Sequence, residues 1–224
     1  MKWEKWISRI VWGLILLIIL LVQTWEWLDP PPSEPAPPPE YTVKIQTLRS
    51  PRLVTTDGAN DGDSFRIAHE GGEHTFRLYF VDCAEKREYR LVAGRLKDQA
   101  SYFGGLSIPQ TLALGQQARE FTEKWLTSGD FQLQTRWEHV FESERYYAYV
   151  ICHDGEHLGE KLVRAGLARI HGKGSYAPDG STPNQYELHL KKLEDEARHA
   201  HRGAWSTPKR APPSTKTAGP KQPQ

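Results

Sequence analysis

The sequence predicts an α+β domain whose five strands are few enough to close as a small barrel, set between end segments that stay outside the fold. Three observations predict it: β-rich runs gathered in residues 41–82, helical periodicity interleaved with two more strand-like runs after residue 113, and Pro-rich or polar ends. The 224 residues suit one domain with appendages. Twenty-nine basic residues against 28 acidic ones exclude a uniformly basic nucleic-acid architectural protein and an acidic disordered chain, so any partner is recognised locally. The two cysteines, Cys83 and Cys152, exclude a disulfide framework, and without a C-x-x-C they argue against a zinc ribbon.

From the N-terminus, residues 1–28 read as a membrane anchor or a signal sequence. The apolar run 10–22 is flanked by Trp6 and Trp27, about 32 Å apart in a helix, which matches two aromatic belts. Lys2, Lys5 and Arg9 precede the run and acidic residues follow it, so the positive-inside rule puts the bulk of the chain outside the cytoplasm. No small-x-small pattern follows Val22, which favours an uncleaved anchor; cleavage would make the protein secreted. Residues 29–40, rich in proline, are an extended spacer on the order of 35 Å. The folded domain is 41–205, and 206–224 is a disordered basic tail.

Within the domain, strands are expected over 41–48, 63–69 and 74–82, the last two joined by a hairpin centred on Gly71-Gly72. Helices are expected over 113–126, 156–170 and 184–202, and strands over 131–137 and 146–152. The stretch 87–111 reads as an insertion, either a lid or a substrate-contacting loop.

With Gly71-Gly72 as turn residues, one hairpin face reads Phe65, Ile67, Phe76, Leu78 and Phe80, with Asp61, Asp63 and Asp82 at its far end. An apolar inward face then delivers carboxylates to the barrel mouth, where Asp63 and Asp82, diagonal neighbours at about 7–8 Å, could share one cation. Arg77 has the wrong parity for a regular strand. To serve the same site as Asp82, either the chain bends between them or Arg77 wraps round the barrel edge.

The segment Asp61-Gly62-Asp63-Ser64-Phe65-Arg66-Ile67, seven hairpin residues, then Thr75-Phe76-Arg77-Leu78-Tyr79-Phe80-Val81-Asp82-Cys83-Ala84-Glu85 resembles the staphylococcal-nuclease-like (thermonuclease) pattern D-G-D-[ST] … F-R-L-x-x-V-D-x-P-E. Two further stretches resemble the family: Arg145-Tyr146-Tyr147-Ala148-Tyr149-Val150 with Leu162-Val163-Arg164-Ala165-Gly166-Leu167-Ala168, and the final helix closing on Trp205. The resemblance implies a five-stranded OB-type barrel with three helices. It also implies a calcium site made of Asp63, Asp82 and the backbone carbonyl of Cys83, with Asp61 in the outer shell. Glu85 would be the catalytic carboxylate, and Arg77 and Arg145 the phosphate-binding arginines. The implied activity is calcium-dependent endonucleolytic hydrolysis of DNA and RNA with little sequence specificity, leaving 3′-phosphate ends. Cys83-Ala84 replaces the family's T-P, and its base-stacking tyrosines do not align; Tyr146 or Tyr176 is the substitute expected here.

The expected partners are a nucleic-acid substrate and, through the N-terminal helix, a membrane; the domain is read as a monomer with no protein partner. Two other functions stay open: a barrel that binds nucleic acid without cutting it, and a small-nucleotide phosphodiesterase. The nine histidines are scattered and read as surface residues.

Overall fold

The computed structural model describes residues 44–206 and the isolated Trp3. The expected anchor or signal, the linker and the tail therefore lie outside the described residues, save Trp3 and Ser206. Among the described residues no helix is long and apolar enough to cross a membrane.

The chain runs β1 (Gln46–Thr47), β2 (Arg52–Leu53), β3 (Ser64–His69), β4 (Gly72–Leu78), β5 (Val81–Cys83), α1 (Ala93–Tyr102), α2 (Ile108–Thr127), β6 (Gln132–His139), β7 (Arg145–Ile151), α3 (Leu158–Arg164), β8 (Ala168–Ile170), α4 (Pro183–His199) and a closing 3-10 turn (Gly203–Ser206). The fold is α+β, with four helices where three were expected. The fourth, α1, lies inside the 87–111 insertion.

The closed five-stranded barrel is not found among the described residues. Six strands form an open mixed sheet in the order β1-β6-β7-β4-β3-β2, and β5 pairs with β8 in a separate two-stranded sheet. The β4–β7 pair is parallel and its neighbours are antiparallel. The edges β1 and β2 follow each other in sequence, and five peptide steps from Thr47 to Arg52 reach about 18 Å at most, so the sheet must curl until its edges nearly meet. Leu48 N–H bonds the Leu133 carbonyl, and Arg49 C=O accepts from Glu70 N–H at the hairpin tip, so the link is tied at both ends. No strand ladder joins β1 to β2 among the described residues; separately, the backbone kinks after Leu78 and β5 pairs with β8.

The hairpin turn is Glu70-Gly71, not Gly71-Gly72: Phe65 faces Phe76 and Ile67 faces His74. Gly72 supplies the positive φ, +117°, at the first residue of β4. The shift is two residues, so parity is kept, and Phe65, Ile67, Phe76 and Leu78 are all buried on one side. Helix α2 starts earlier than expected because Ser107 caps it, with Gln110 completing a capping box and Pro109 in the first turn. Helix α3 stops at Arg164 instead of running to residue 170. Gly166, at φ +69°, gives a Schellman end: its N–H bonds Val163 C=O and Leu167 N–H bonds Leu162 C=O, which frees 168–170 to become β8.

At the hairpin, His69 Nε2 and His74 Nδ1 lie 2.9 Å apart with stacked rings. Burial pushes the His69 imidazole below its ordinary 6.5, and His74 pushes the same way. The native state then holds fewer protons than the unfolded chain. Stability is intact above the unfolded value and falls as pH drops through it toward the folded one. Urea midpoints should therefore fall between pH 7 and 5, and less steeply in His69→Gln; equal slopes would overturn the coupling.

Candidate active site

The site is made by a break in a strand. Leu78 N–H donates to the Asp63 carbonyl at 2.9 Å and Tyr79 N–H to that of Ala148 at 3.2 Å, after which Phe80 takes a left-handed φ of +65°. Val81 N–H then bonds Tyr79 C=O at 2.9 Å, closing a three-residue turn. Such a φ costs on the order of 1–3 kcal/mol in a non-glycine residue. The Phe80 ring, packed 5.0 Å from Tyr186, offsets it through burial. The turn resets side-chain alternation, which brings odd-numbered Arg77 and even-numbered Asp82 to one place. Of the two routes open to Arg77, the chain takes the bend.

The Arg77 guanidinium sits between the two acids, 3.2 Å from Asp63 Oδ1 and 2.7 Å from Asp82 Oδ1. Asp63 Oδ2 accepts Cys83 N–H at 2.7 Å. Arg95, from α1, donates to Asp82 Oδ1 at 2.5 Å and to Glu85 Oε1 at 2.8 Å. Arg169, from β8, reaches Asp82 Oδ2 at 2.7 Å. One turn along α1 from Arg95, the Gln99 amide donates to Asp82 Oδ2 and Cys83 C=O, each at 2.9 Å, and accepts Glu85 N–H at 3.1 Å. Three carboxylates thus face three guanidinium groups around a buried centre.

Burial works against the charge on Asp82, but Arg95 and Arg77, the Gln99 hydrogen bond and Arg169 hold it at about 2. Burial raises Asp63, with Arg77 opposing. Glu85 is also raised by burial, with Arg95 opposing and Asp61, Asp63 and Asp82 adding to the rise. On Arg77, burial is outweighed by Asp63 and Asp82, so its proton is held more tightly than usual.

Beside this centre opens a cleft of about 330 Å³ whose walls include Asp61, Glu85, Lys86, Arg87, Tyr89 and Arg145. Lys86 pairs with Asp61 at 3.0 Å and donates to the carbonyls of Gly58 and Asn60. Arg145 hydrogen-bonds only Ser143 Oγ through its side chain, at 3.5 Å, and no carboxylate among the described residues pairs with it. An unpaired guanidinium in a cleft is suited to a phosphate.

Helix α2 presses on the loop that carries Glu85 through small residues. Thr122 Oγ1 donates to the Gly62 carbonyl at 2.6 Å, and a Cβ on Gly115 would sit 2.4 Å from Ala84 O and 2.5 Å from Glu85 O. Gly→Ala in a helix ordinarily stabilises by about 1 kcal/mol. Here the added methyl meets backbone, so Gly115→Ala should displace Glu85 and lower turnover by about tenfold or more in a still-folded protein. Steady-state rates beside a thermal melt check this, and unchanged turnover would refute it.

The structure thus brings Asp63, Asp82, the Cys83 carbonyl, Arg77 and Glu85 into one network, with Asp61 and Arg145 in the adjoining cleft. Tyr146 packs against Trp137, His74 and His139, and Tyr176 lies beside Arg136 and Ser175. Neither expected stacking tyrosine lines the cleft; half-exposed Tyr89 does. Sequence reasoning also missed Arg95, Gln99 and Arg169. The i, i+4 spacing of Arg95 and Gln99 was the one available signal, and it pointed to a shared helix face without naming what that face meets. Cys83 and Cys152 are buried free thiols.

As arranged, the acids do not fit a calcium ion. A hard dication takes six to eight oxygen ligands with open lone pairs. Both Asp82 oxygens already accept two donors each, the Cys83 carbonyl accepts Gln99, and Arg95 lies between Asp82 and Glu85. Among the described residues no cluster of three or more His, Cys, Asp or Glu side chains is set to hold a metal.

Residues 75–207, more than half of the chain, match the family described as staphylococcal nuclease homologue. The match starts inside β4, so Asp61 and Asp63 precede it. The chain is also similar to the SPbeta prophage-derived endonuclease YokF of Bacillus subtilis (strain 168), with 27% identity over 154 residues that cover 68% of this chain and 44% of the relative. The chain thus spans less than half the length of that relative.

Proposed function

Because this chain belongs to the staphylococcal nuclease homologue family, we propose that it is a nuclease that hydrolyses phosphodiester bonds within DNA and RNA. The observation that carries this reading is the cleft in which Glu85, a carboxylate raised by burial, stands with Arg145, a guanidinium with no acidic partner among the described residues. Arg145, with Arg87 on the same wall, would grip the phosphate oxygens, and such contacts carry no base information, which accounts for low sequence specificity. Glu85 would orient a water for in-line attack and take its proton. Water oxygen bonds to phosphorus as the bond to the 5′ oxygen breaks; that oxygen takes up a proton and the 3′-phosphate end remains. Arg145 donors would meet the charge that grows on the non-bridging oxygens. Calcium dependence is the family expectation, but no step is assigned to a metal because Asp82 is already saturated. The N-terminal segment would place this activity outside the cytoplasm, tethered or secreted.

One observation favours a second reading, a module that binds nucleic acid without cutting. The same saturated Asp82 offers no free lone pair to a metal. The deciding experiment incubates the full chain with single-stranded DNA, duplex DNA and RNA, with calcium or with EDTA. Internal cuts with 3′-phosphate ends are the expected result. A folded protein that binds DNA and leaves every substrate intact would establish the second reading.

A further inference from the structure

Of the three guanidinium groups that keep a dication from these acids, one is open to solvent. Arg77 and Arg169 are 11% and 9% exposed in their side chains, enclosed by strands β4 and β8. Arg95 is 37% exposed, its guanidinium lying across Asp82 Oδ1 and Glu85 Oε1 from the solvent side. Its helix is fixed without it: Leu96 and Gln99 are fully buried, Tyr102 bonds Glu194, and Phe103 packs on Trp205. Gln99 meanwhile holds Asp82, Cys83 C=O and Glu85 N–H at once, so the acidic loop keeps its shape whether or not Arg95 is present.

We propose that Arg95 is the resident cation of the Asp82–Glu85 pair, and that its guanidinium and a divalent metal ion are alternative occupants of that place. A metal arriving while Arg95 remains would add two charges to a centre that is already neutral. With Arg95 swung into solvent, Asp82 Oδ1 and Glu85 Oε1 each regain a lone pair, and one positive charge is withdrawn. The 87–111 insertion would thereby set how much metal the protein requires. This rests on the nuclease reading only for the expectation that a metal binds at all.

The test measures metal binding, not cleavage, so it stands or falls separately from the proposed activity. Calcium, and in a second series manganese, is titrated calorimetrically into the full chain, wild type beside Arg95→Met and Arg95→Lys. Arg95→Met keeps an apolar stem and removes the charge; it should bind calcium at least about tenfold more tightly than wild type. Arg95→Lys should stay near wild type, since an ammonium can still hold one acid. Adding Asp82→Asn to Arg95→Met should abolish the gain, which locates the ion. If Arg95→Met melts well below wild type, Arg95→Gln, which can still donate to Asp82, replaces it. Equal calcium affinity in wild type and the charge-removed variant would overturn the proposal, as would a gain that survives Asp82→Asn.

Discussion

Glu85→Gln should lower the cleavage rate by about 10²–10⁴-fold, the usual range for losing a positioned general base. Glutamine keeps the shape of glutamate and can still accept from Arg95, which lies 2.8 Å from Oε1 in the wild type. The capacity to take a proton is removed, together with the negative charge that faces Arg95, while the shape is kept. The fold should hold, because Gln99 grips the Glu85 backbone N–H independently of the side chain. Turnover on single-stranded DNA should therefore collapse with little change in KM or melting temperature. A rate within threefold of wild type would remove Glu85 from the chemistry and leave Arg145 as a binding group alone.

Arg77→Ala should have the largest effect on stability. Among the described residues its guanidinium is the only side chain that touches both Asp63 and Asp82; the two acids are buried and the Arg77 side chain is 11% exposed. Removing one partner of a buried ion pair costs about 3–5 kcal/mol, which in a domain of this size lowers the melting temperature by roughly 10 °C. Asp82 retains Arg95, Arg169 and Gln99, whereas the one hydrogen bond left to Asp63 among the described residues is from Cys83 N–H, so the damage should concentrate on Asp63. Arg77→Ala with Asp63→Asn should recover part of the loss, since the orphaned charge is gone. Arg77→Lys cannot span both acids with a fork and should fall between wild type and alanine. Chemical denaturation of the four proteins measures this, and an Arg77→Ala midpoint equal to wild type would show that Arg77 bridges nothing of consequence.

Much of the site was legible in sequence because its signals are local. Asp63, Asp82 and Glu85 sit at fixed offsets from hydrophobic strand residues whose alternation is governed by the pleat. The apolar set Phe65, Ile67, Phe76 and Leu78 kept its face even though the hairpin register was off by two, since a shift of two preserves parity. The early stop of α3 was also written locally, in Gly166, but a continuing apolar period through Leu167 masked it.

What sequence alone determined is therefore the inventory and its order: which acids and arginines exist, which strands carry them, and which family they belong to. Periodicity and short motifs record that much, because neighbouring residues enforce it. Only the tertiary structure decided who touches whom. The left-handed Phe80 turn reversed the facing of Asp82 relative to Arg77, and its φ is held by packing on Tyr186, far along the chain. Arg95 and Gln99 from α1 and Arg169 from β8 reach Asp82 across 13, 17 and 87 residues. A charge balance built from such separations has no local pattern, since it depends on where packing ends each side chain; that balance is what set arginines across the expected metal ligands.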